Sequence, residues 1–181
     1  MNDVNPMPGG CGFADIIYQK VLSYCDYPNA VLELGCGVGG NLVKFKDSET
    51  RVGIDPYKPN IDAAQHNCKA ILGDHTHLKE FKANQFDLGI TCSVLDHIED
   101  FKVALCDMIR VCRELVLLEP IKSGVNRQCK KSETSHWKST WYHDYVGFLS
   151  GTDAVFSTEP SPLYKTNSGP LYHFIYVRGN K

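Results

Sequence analysis

Apolar residues occur along the chain in two patterns, as short continuous runs and as longer stretches with helical spacing. The short runs predict five buried strands, which are AVLEL at 30–34, TRVGID at 50–55, KAILGD at 69–74, FDLGITCS at 86–93 and ELVLLEP at 114–120. Helical spacing predicts helices at 13–25 and 98–112, with shorter ones at 39–45 and 59–67. Because strands and helices alternate, we expect a parallel sheet that is covered on both faces.

The pattern changes after the fifth strand. Residues 121–136 are polar and aperiodic, which predicts a loop, and residues 137–150 predict a helix that Ser135 caps. Four aromatic residues would share one face of that helix, which is more typical of a core face than of a substrate platform: Trp137, Trp141, Tyr145 and Phe148. DAVFSTE (153–159) and LYHFIYVRG (171–179) predict two more strands, which should pair antiparallel because no helix separates them.

Composition places few further limits on the chain. Its 181 residues suit one domain spanning 1–181, with residues 1–12 expected to be flexible. The sequence has no apolar run of about 18 residues, and its start lacks the features of a signal peptide, so we expect a cytoplasmic protein that binds no membrane. The eight cysteines form no C-x-x-C motif and are expected to be reduced, mostly buried thiols.

The stretch AVLELGCGVGGNL at 30–42 fits two glycine patterns. Gly35, Gly37 and Gly40 satisfy the dinucleotide pattern G-x-G-x-x-G, and residues 33–39 satisfy E-x-G-x-G-x-G. A dinucleotide site places a pyrophosphate at the start of the following helix, where anions are favoured. Glu33 would put a carboxylate beside that pocket, which suits a cationic ligand better.

Two more acidic residues follow later predicted strands. Asp55, at the end of TRVGID, can accept hydrogen bonds from ribose hydroxyls, as it would for either a nicotinamide or an adenosyl ligand. Asp74, at the end of KAILGD, can accept from an exocyclic adenine amine, and its alternative role is in a turn or a helix cap.

In their order and spacing these motifs resemble those of the class I S-adenosylmethionine-dependent methyltransferases, over roughly Phe13 to Arg178. VLELGCGVGG resembles the first motif, VGID the second, the GD at 73–74 the third and FDLGITCSVLDHIED the fourth. The resemblance implies an α/β fold, a three-layer α/β/α sandwich. Its Rossmann-like sheet is mostly parallel and seven-stranded, with the last strand antiparallel.

The resemblance also implies S-adenosylmethionine as cofactor, S-adenosylhomocysteine as product, and a set of cofactor-binding positions at the carboxyl ends of the strands: Glu33, Gly35, Cys36, Gly37, Gly39, Asp55, Pro56, Tyr57, Asp74, His75, Thr91, Cys92 and Ser93. Glu33 would lie near the methionine amino group and the three glycines close to the ligand. Asp55 would hold the ribose, the 56–57 pair would lie against the adenine, and Asp74 or the His75 backbone would contact its amine. Residues 91–93 would lie beside the methyl group, whereas Cys36 is expected to be a small packing residue rather than a nucleophile.

Methyl transfer by in-line displacement needs no protein nucleophile, and it needs a general base only when the acceptor arrives protonated. The candidate bases are His97, His136 and His143, and the loop and helix at 121–150 are expected near the acceptor pocket. Asp96 and Glu99 fit a capping box for the helix that follows. His75 and His77 lack further spaced ligands, so no metal is expected.

The identity of the acceptor is narrowed by what the motifs lack. TCSV at 91–94 stands where amino-methylating DNA and glutamine enzymes carry an Asn/Asp-Pro-Pro-aromatic tetrapeptide. The net charge is −2 and the basic residues are scattered, so no nucleic-acid partner is expected and a small-molecule acceptor is favoured. Two alternatives stay open, a non-catalytic partner protein that binds adenosylmethionine or adenosylhomocysteine, and an NAD(P)-dependent oxidoreductase.

Overall fold

The computed structural model describes residues 11–121, 127–131, 139–161 and 171–179. The helices are α1 (Cys11–Tyr24), α2 (Lys58–Ala64), α3 (Phe101–Val111) and α4 (Tyr145–Ser150). The strands are β1 (Ala30–Leu34), β2 (Thr50–Asp55), β3 (Lys69–Leu72), β4 (Phe86–Cys92), β5 (Cys112–Ile121), β6 (Arg127–Lys131), β7 (Ser139–Tyr142), β8 (Val155–Pro160) and β9 (Leu171–Arg178). Short 3-10 turns occupy Leu42–Phe45, His75–Glu80 and Leu95–His97.

Seven strands form one sheet in the order β3-β2-β1-β4-β5-β9-β8. Strands β1 to β5 pair in parallel, whereas β9 is antiparallel to both β5 and β8. The predicted parallel sheet with an antiparallel final strand is therefore confirmed. The strand order reverses between β1 and β4, and in open α/β sheets ligands bind at the carboxyl ends of the strands at such a point.

The core lies in two layers, one on each face of the sheet. Alternate residues of one strand point to opposite faces, so Val31 of β1 packs with the first layer and Leu32 with the second. The first layer includes buried side chains of α1, α2 and the turn at Leu42–Phe45, and the second includes those of α3 and α4. The predicted three-layer α/β/α sandwich is confirmed, and no helix among the described residues combines the length and apolar character needed to cross a bilayer.

The predicted helix at 137–150 is wrong at 139–144, and residues 137–138 lie outside the described residues. Residues 139–142 form β7, which pairs antiparallel with β6 outside the main sheet. α4 begins only at Tyr145, where the Asp144 carboxylate accepts a hydrogen bond from Gly147 N at 2.9 Å. Pairing with β6 gives the backbone of β7 hydrogen-bond partners, so tertiary context overrides the helical spacing of the aromatic residues. The predicted loop at 121–136 is also wrong at β6, and the proposed Ser135 cap lies outside the described residues.

Two further predicted helices differ from the structure. The expected helix at 39–45 is one 3-10 turn, with Leu42 and Phe45 buried and spaced to enter the core together. α3 begins at Phe101, so Asp96 does not cap it and the predicted capping box is wrong. Asp96 lies instead in the preceding 3-10 turn and is 3% exposed.

Candidate functional site

The glycine loop follows β1 at the carboxyl edge of the sheet. Gly35, Gly37 and Gly39 have φ of 72°, 53° and 80°, in the left-handed region that favours glycine. A Cβ on Gly35 would lie 2.2 Å from Cγ2 of Val94, so the loop is packed tightly there. A Cβ on Gly37 would meet no described atom within 4 Å, so this position leaves open space for a close ligand.

Asp55 at the end of β2 holds the glycine loop in place. Its Oδ2 accepts a hydrogen bond from Gly37 N at 3.0 Å, and its Oδ1 accepts from Tyr57 N at 2.9 Å and Asn60 Nδ2 at 3.2 Å. The residue is 1% exposed. A carboxylate offers about four acceptor positions, so three bonds leave room for one more donor such as a ribose hydroxyl. The sequence did not indicate this role of Asp55 in holding the glycine loop.

Glu33 at the end of β1 is a buried carboxylate with an unsatisfied oxygen. Asn41 Nδ2 donates to its Oε1 at 2.6 Å, while neither Glu33 Oε2 nor Asn41 Oδ1 has a hydrogen-bond partner among the described residues. Burial raises the pKa of Glu33 to about 8, although the Asn41 hydrogen bond opposes this shift. Two neighbouring oxygens without partners, beside the glycine loop, fit a cationic group with several N–H donors, whose charge would favour the ionised form of Glu33.

The ends of β2 and β3 supply the remaining predicted cofactor positions. Pro56 is exposed and Tyr57 is half-buried, at the start of α2. Asp74 caps the 3-10 turn that includes His75, since its Oδ1 accepts from Thr76 N at 2.8 Å and Thr76 Oγ1 at 2.6 Å. These Thr76 bonds lower the pKa of Asp74. The cap that the sequence left open is therefore present, and the contact of Asp74 or His75 with an adenine amine stays a prediction.

The comparisons with known proteins agree with this geometry. Residues 32–117 match the family model described as a methyltransferase domain. This segment belongs to a methyltransferase domain. With the sheet order above, the match confirms the predicted class I, S-adenosylmethionine-dependent type. No match to the chain was found among curated protein sequences.

Solved structures with the fold of this methyltransferase domain share little sequence with it. The 1,6-didemethyltoxoflavin-N1-methyltransferase of Burkholderia thailandensis superposes with a TM-score of 0.68 at 14% identity, covering 99% of this chain and 82% of that one. For the magnesium protoporphyrin IX methyltransferase of Synechocystis PCC 6803 the TM-score is 0.66 at 14% identity, with 95% and 80% covered. The cyclase SpnF gives 0.70 at 13% identity, with 93% and 81% covered. At such identities the likeness establishes the fold, and function has to be argued from the site.

The ends of β4 and β5 in the methyltransferase domain meet at a second buried carboxylate. Glu119 is fully buried, and its Oε1 accepts from Thr91 Oγ1 at 2.7 Å, Val94 N at 3.1 Å and Leu95 N at 3.2 Å. Burial raises the pKa of Glu119 to about 8, with a further contribution from the charge of Asp96. The Thr91 hydroxyl therefore donates its hydrogen bond to Glu119 on β5, and Glu119 fixes the turn that follows β4.

Two other residues predicted beside the methyl group follow Thr91. Cys92 and Ser93 are half-buried, and burial raises the pKa of the Cys92 thiol. Ser93 has φ of 55°, and its Oγ lies 2.9 Å from the hydroxyl of Tyr172 on β9. A non-glycine residue in the left-handed region is uncommon and often marks a functional turn. Tyr172 thus joins this edge of the site, which the sequence did not indicate.

The three candidate histidines have different surroundings. His97 is half-buried, with Nδ1 donating to the Ser139 carbonyl at 3.0 Å and Nε2 lying 3.8 Å from Asp96 Oδ1. In the neutral ring the proton is therefore on Nδ1 and the lone pair on Nε2. His136 lies outside the described residues.

His143 is placed for packing. It is 2% exposed, its Nε2 donates to the Ile98 carbonyl at 2.8 Å, and its ring packs against Phe101 at 4.3 Å between centroids. Burial lowers the pKa of His143, so the neutral ring is favoured. Its proposed catalytic role has no support in this geometry, whereas that of His97 stays a prediction.

Several residues of the site lack a clear signal in the sequence. Asn41 follows the glycines by one position and could have been noticed as a polar residue at the start of a predicted helix. Asn60 carries no such signal, because its contact with Asp55 depends on the path of α2. Leu72 is 50% exposed and pairs in register with Asp55, so an apolar side chain accompanies the predicted adenine positions. Among the described residues, no three His, Cys, Asp or Glu side chains converge as metal ligands would.

Proposed function

We propose that this protein binds S-adenosylmethionine and transfers its methyl group to a small-molecule acceptor. The observation that carries the proposal is the pair of unsatisfied buried acceptors, Glu33 Oε2 and Asn41 Oδ1, beside a loop that leaves space at Gly37. A ligand with an ammonium group would supply the missing donors and a positive charge. The methionine part of adenosylmethionine has such a group, and S-adenosylhomocysteine retains it.

The sheet order argues against an NAD(P)-dependent oxidoreductase. In a classic dinucleotide fold, six parallel strands follow the order 3-2-1-4-5-6. Here the position beside β5 is taken by the antiparallel β9. A buried carboxylate at Glu33 would also repel a pyrophosphate once it is ionised.

Different residues of the site would bind different parts of the cofactor. Glu33 and Asn41 would hold the ammonium group, and Asp55 would use its remaining acceptor position for a ribose hydroxyl. Tyr57 and Leu72 would flank the adenine, with Asp74 or the His75 backbone at its amine. A bound adenosylmethionine supplies an activated methyl group, which the acceptor atom takes by in-line displacement. The protein's contribution to rate would then come mainly from orientation and the exclusion of water.

His97 is the best-placed general base for an acceptor that arrives protonated. Its Nε2 carries the lone pair, and the buried carboxylate of Asp96, 3.8 Å away, would stabilise the imidazolium formed by proton uptake. The small-molecule class is supported by the scattered basic residues of the chain. It is also supported by the toxoflavin-related methyltransferase, whose structure holds 1,6-didemethyltoxoflavin together with S-adenosylhomocysteine.

Equilibrium binding tests the cofactor directly. Titration calorimetry with S-adenosylhomocysteine should show binding, and Glu33→Gln should weaken it by about 10-fold to 150-fold, the equivalent of about 1.5–3 kcal/mol for a hydrogen bond to a charged group. Asp62→Asn is the matched control, since Asp62 is an exposed partner of Lys58 on α2. Binding of NADH without binding of S-adenosylhomocysteine would overturn the proposal.

Methyl transfer needs a separate assay. Adenosylmethionine labelled in its methyl group, incubated with a broad panel of small hydroxyl, amine and thiol acceptors, should give a labelled product. Tight cofactor binding with no transfer across the panel would favour the non-catalytic partner protein instead.

We also propose a cytoplasmic location without nucleic-acid or membrane partners. The six described free cysteines suit a reducing compartment, which cell fractionation can test.

A further inference from the structure

Two cysteine thiols meet beneath the glycine loop. The Cys36 thiol donates to the Gly37 carbonyl at 3.5 Å, and the Cys68 thiol donates to the Ala64 carbonyl at 3.6 Å. Both lie over the α-carbon of Gly53 on β2, since a Cβ built there would be 2.6 Å from Cys36 Sγ and 3.1 Å from Cys68 Sγ. Any larger residue at position 53 would push the sulfurs aside, so glycine at this position leaves room for both sulfurs on the same side of β2.

The two cysteines belong to segments that already touch. Cys36 lies inside the glycine loop, where its N donates to the Ile54 carbonyl at 3.0 Å. Cys68 lies in the turn that follows α2, and its neighbour Asn67 donates from Nδ2 to the Val38 carbonyl of the loop at 3.0 Å. A covalent bond between the sulfurs would therefore join two adjacent backbone segments without moving either across the molecule.

The two thiols differ in exposure and acidity. Cys36 is 5% exposed, whereas Cys68 is half-buried and reachable from solvent. Interaction with Cys36 lowers the pKa of Cys68, and the nearby charge of Arg51 acts in the same direction. Interaction with Cys68 raises the pKa of Cys36, and so does burial. This arrangement suits an attacking thiolate at Cys68 and a resolving thiol at Cys36.

We propose that Cys36 and Cys68 form an oxidisable dithiol, which peroxides convert to a disulfide that cross-links the glycine loop to the turn after α2. The Cys68 thiolate attacks one oxygen of hydrogen peroxide, which breaks the O–O bond, releases hydroxide and leaves a sulfenic acid. The Cys36 sulfur then attacks the Cys68 sulfur, so the S–S bond forms, the S–O bond breaks and the hydroxyl leaves as water with the Cys36 proton. Overall two thiols are oxidised and one peroxide is reduced to two waters.

The cross-link would act on the cofactor site, a consequence that rests on the function proposed above. Forming the S–S bond draws Cys36 toward Cys68 and away from its reduced position between Gly35 and Gly37. Those glycines shape the cradle, so the disulfide form binds cofactor more weakly. By linkage, bound cofactor then opposes oxidation of the pair by the same factor.

Peptide mapping tests the cross-link without reference to cofactor. The full chain, reduced and freed of reductant, is treated with hydrogen peroxide, its remaining thiols are blocked with N-ethylmaleimide, and its peptides are analysed by mass spectrometry. The expected product is a Cys36–Cys68 disulfide peptide that dithiothreitol removes and that Cys68→Ser abolishes. Cys106→Ser, which changes an exposed cysteine on α3, should leave it unchanged. Oxidation of Cys68 only to sulfinic or sulfonic acid, or its pairing with another cysteine, would overturn the proposal.

Binding of S-adenosylhomocysteine tests the consequence. The peroxide-treated protein should bind about fivefold more weakly or worse than the reduced protein, the lower end of ordinary coupling between sites. Cys68→Ser should bind like the reduced protein and should not respond to peroxide. Equal affinity before and after disulfide formation would remove the link to the cofactor site. Absence of binding even in the reduced protein would instead contradict the proposed function, and peptide mapping would still decide the cross-link.

Discussion

The carboxylate of Asp55 accepts a hydrogen bond from the backbone N–H of Gly37 at 3.0 Å, and so fixes the middle of the glycine loop to the end of β2. Gly37 has φ of 53° and open space around its α-carbon. The acidic residue therefore shapes the cradle as well as offering an acceptor to a ribose. Loss of Asp55 should affect both the loop and the ligand.

Asp55→Ala should weaken binding of S-adenosylhomocysteine by about 1–3 kcal/mol, because it removes a charged acceptor and leaves the Gly37 N–H without its partner. It should also lower the melting temperature, since the same carboxylate holds Tyr57 N and Asn60. Calorimetry and thermal denaturation measure the two effects. Asp62→Ala, which removes an exposed carboxylate from α2, should change neither by much. Wild-type affinity in Asp55→Ala would show that the ribose is held elsewhere.

Glu33 should make the empty protein less stable as the pH rises. Burial raises the pKa of Glu33 from its ordinary 4.5 to about 8, so the folded state holds a proton that the unfolded state releases. The sign follows from this difference: the free energy of unfolding falls as pH rises between about 4.5 and 8. The Glu33→Gln variant cannot ionise at this position, so its free energy of unfolding should not fall for this reason.

Thermal denaturation across this range checks the prediction. At pH 8 the melting temperature of Glu33→Gln should exceed that of the wild type by about 2–4 °C, the shift that about 1 kcal/mol produces in a chain of this size. At pH 5 the difference should shrink. The contribution of Glu119, whose pKa is also raised to about 8, is common to both proteins and cancels. A difference that is constant with pH would mean that Glu33 keeps an ordinary pKa.

The sequence predicted those parts of the fold in which local pattern and burial agree. β1 and β2 have the predicted bounds because their apolar runs are buried within the sheet. The antiparallel pairing of β8 with β9 was also predicted, because the missing helix leaves no crossover. The family motifs identified the glycine loop in the same way, since its residues are consecutive.

The errors lie where distant contacts decide the outcome. Trp141 belongs to a set of aromatic residues at helical spacing, yet pairing with β6 makes residues 139–142 a strand. Asp96 and Glu99 form a capping box in sequence, but the turn after β4 is fixed by Glu119 and places Asp96 in a buried position instead. The hydrogen bond from Asn41 to Glu33 joins a loop to a strand, so neither residue alone indicates it.

Gly35→Ala and Gly37→Ala should differ in their effects on stability and on cofactor binding. A Cβ on Gly35 would lie 2.2 Å from Val94 Cγ2, so Gly35→Ala should destabilise the fold by both a clash and backbone strain. Gly37→Ala meets only the strain of the left-handed region, about 1–2 kcal/mol, but its methyl group enters the space expected for the ligand. Thermal denaturation and cofactor titration separate the two effects.

Val94→Ala provides a test of the Gly35 explanation. In the double variant Gly35→Ala, Val94→Ala the clashing methyl groups are gone, so part of the stability lost in Gly35→Ala should return. The same change should not restore cofactor binding in Gly37→Ala. Equal losses in both single variants, with no recovery in the double variant, would show that the conformation of the loop rather than its packing decides stability.

His97→Gln should lower kcat for a hydroxyl acceptor while leaving the affinity for adenosylhomocysteine unchanged. The expected loss is about 100-fold or more, the usual contribution of a general base. The reason is geometric: Nε2 carries the lone pair and lies 3.8 Å from the Asp96 carboxylate, which would stabilise the protonated ring. An acceptor that arrives already deprotonated should show a much smaller loss. An equal loss for both acceptors would assign His97 to positioning rather than to proton transfer.

His143 should affect stability rather than catalysis, and its effect should depend on pH. Burial lowers the pKa of His143 from its ordinary 6.5, so its contribution to stability is present above that pH and is lost as the pH falls. His143→Gln keeps an N–H for the Ile98 carbonyl but loses the ring contact with Phe101, so it should be less stable by about 1–2 kcal/mol at pH 7.5. At pH 5 the unfolded wild type gains a proton on His143 that the folded core excludes, and this lowers its free energy of unfolding. The variant has no such proton, so the stability gap should narrow. Thermal denaturation at the two pH values gives the comparison, while kcat should stay near that of the wild type. A large fall in kcat with an unchanged stability gap would return His143 to the list of catalytic candidates.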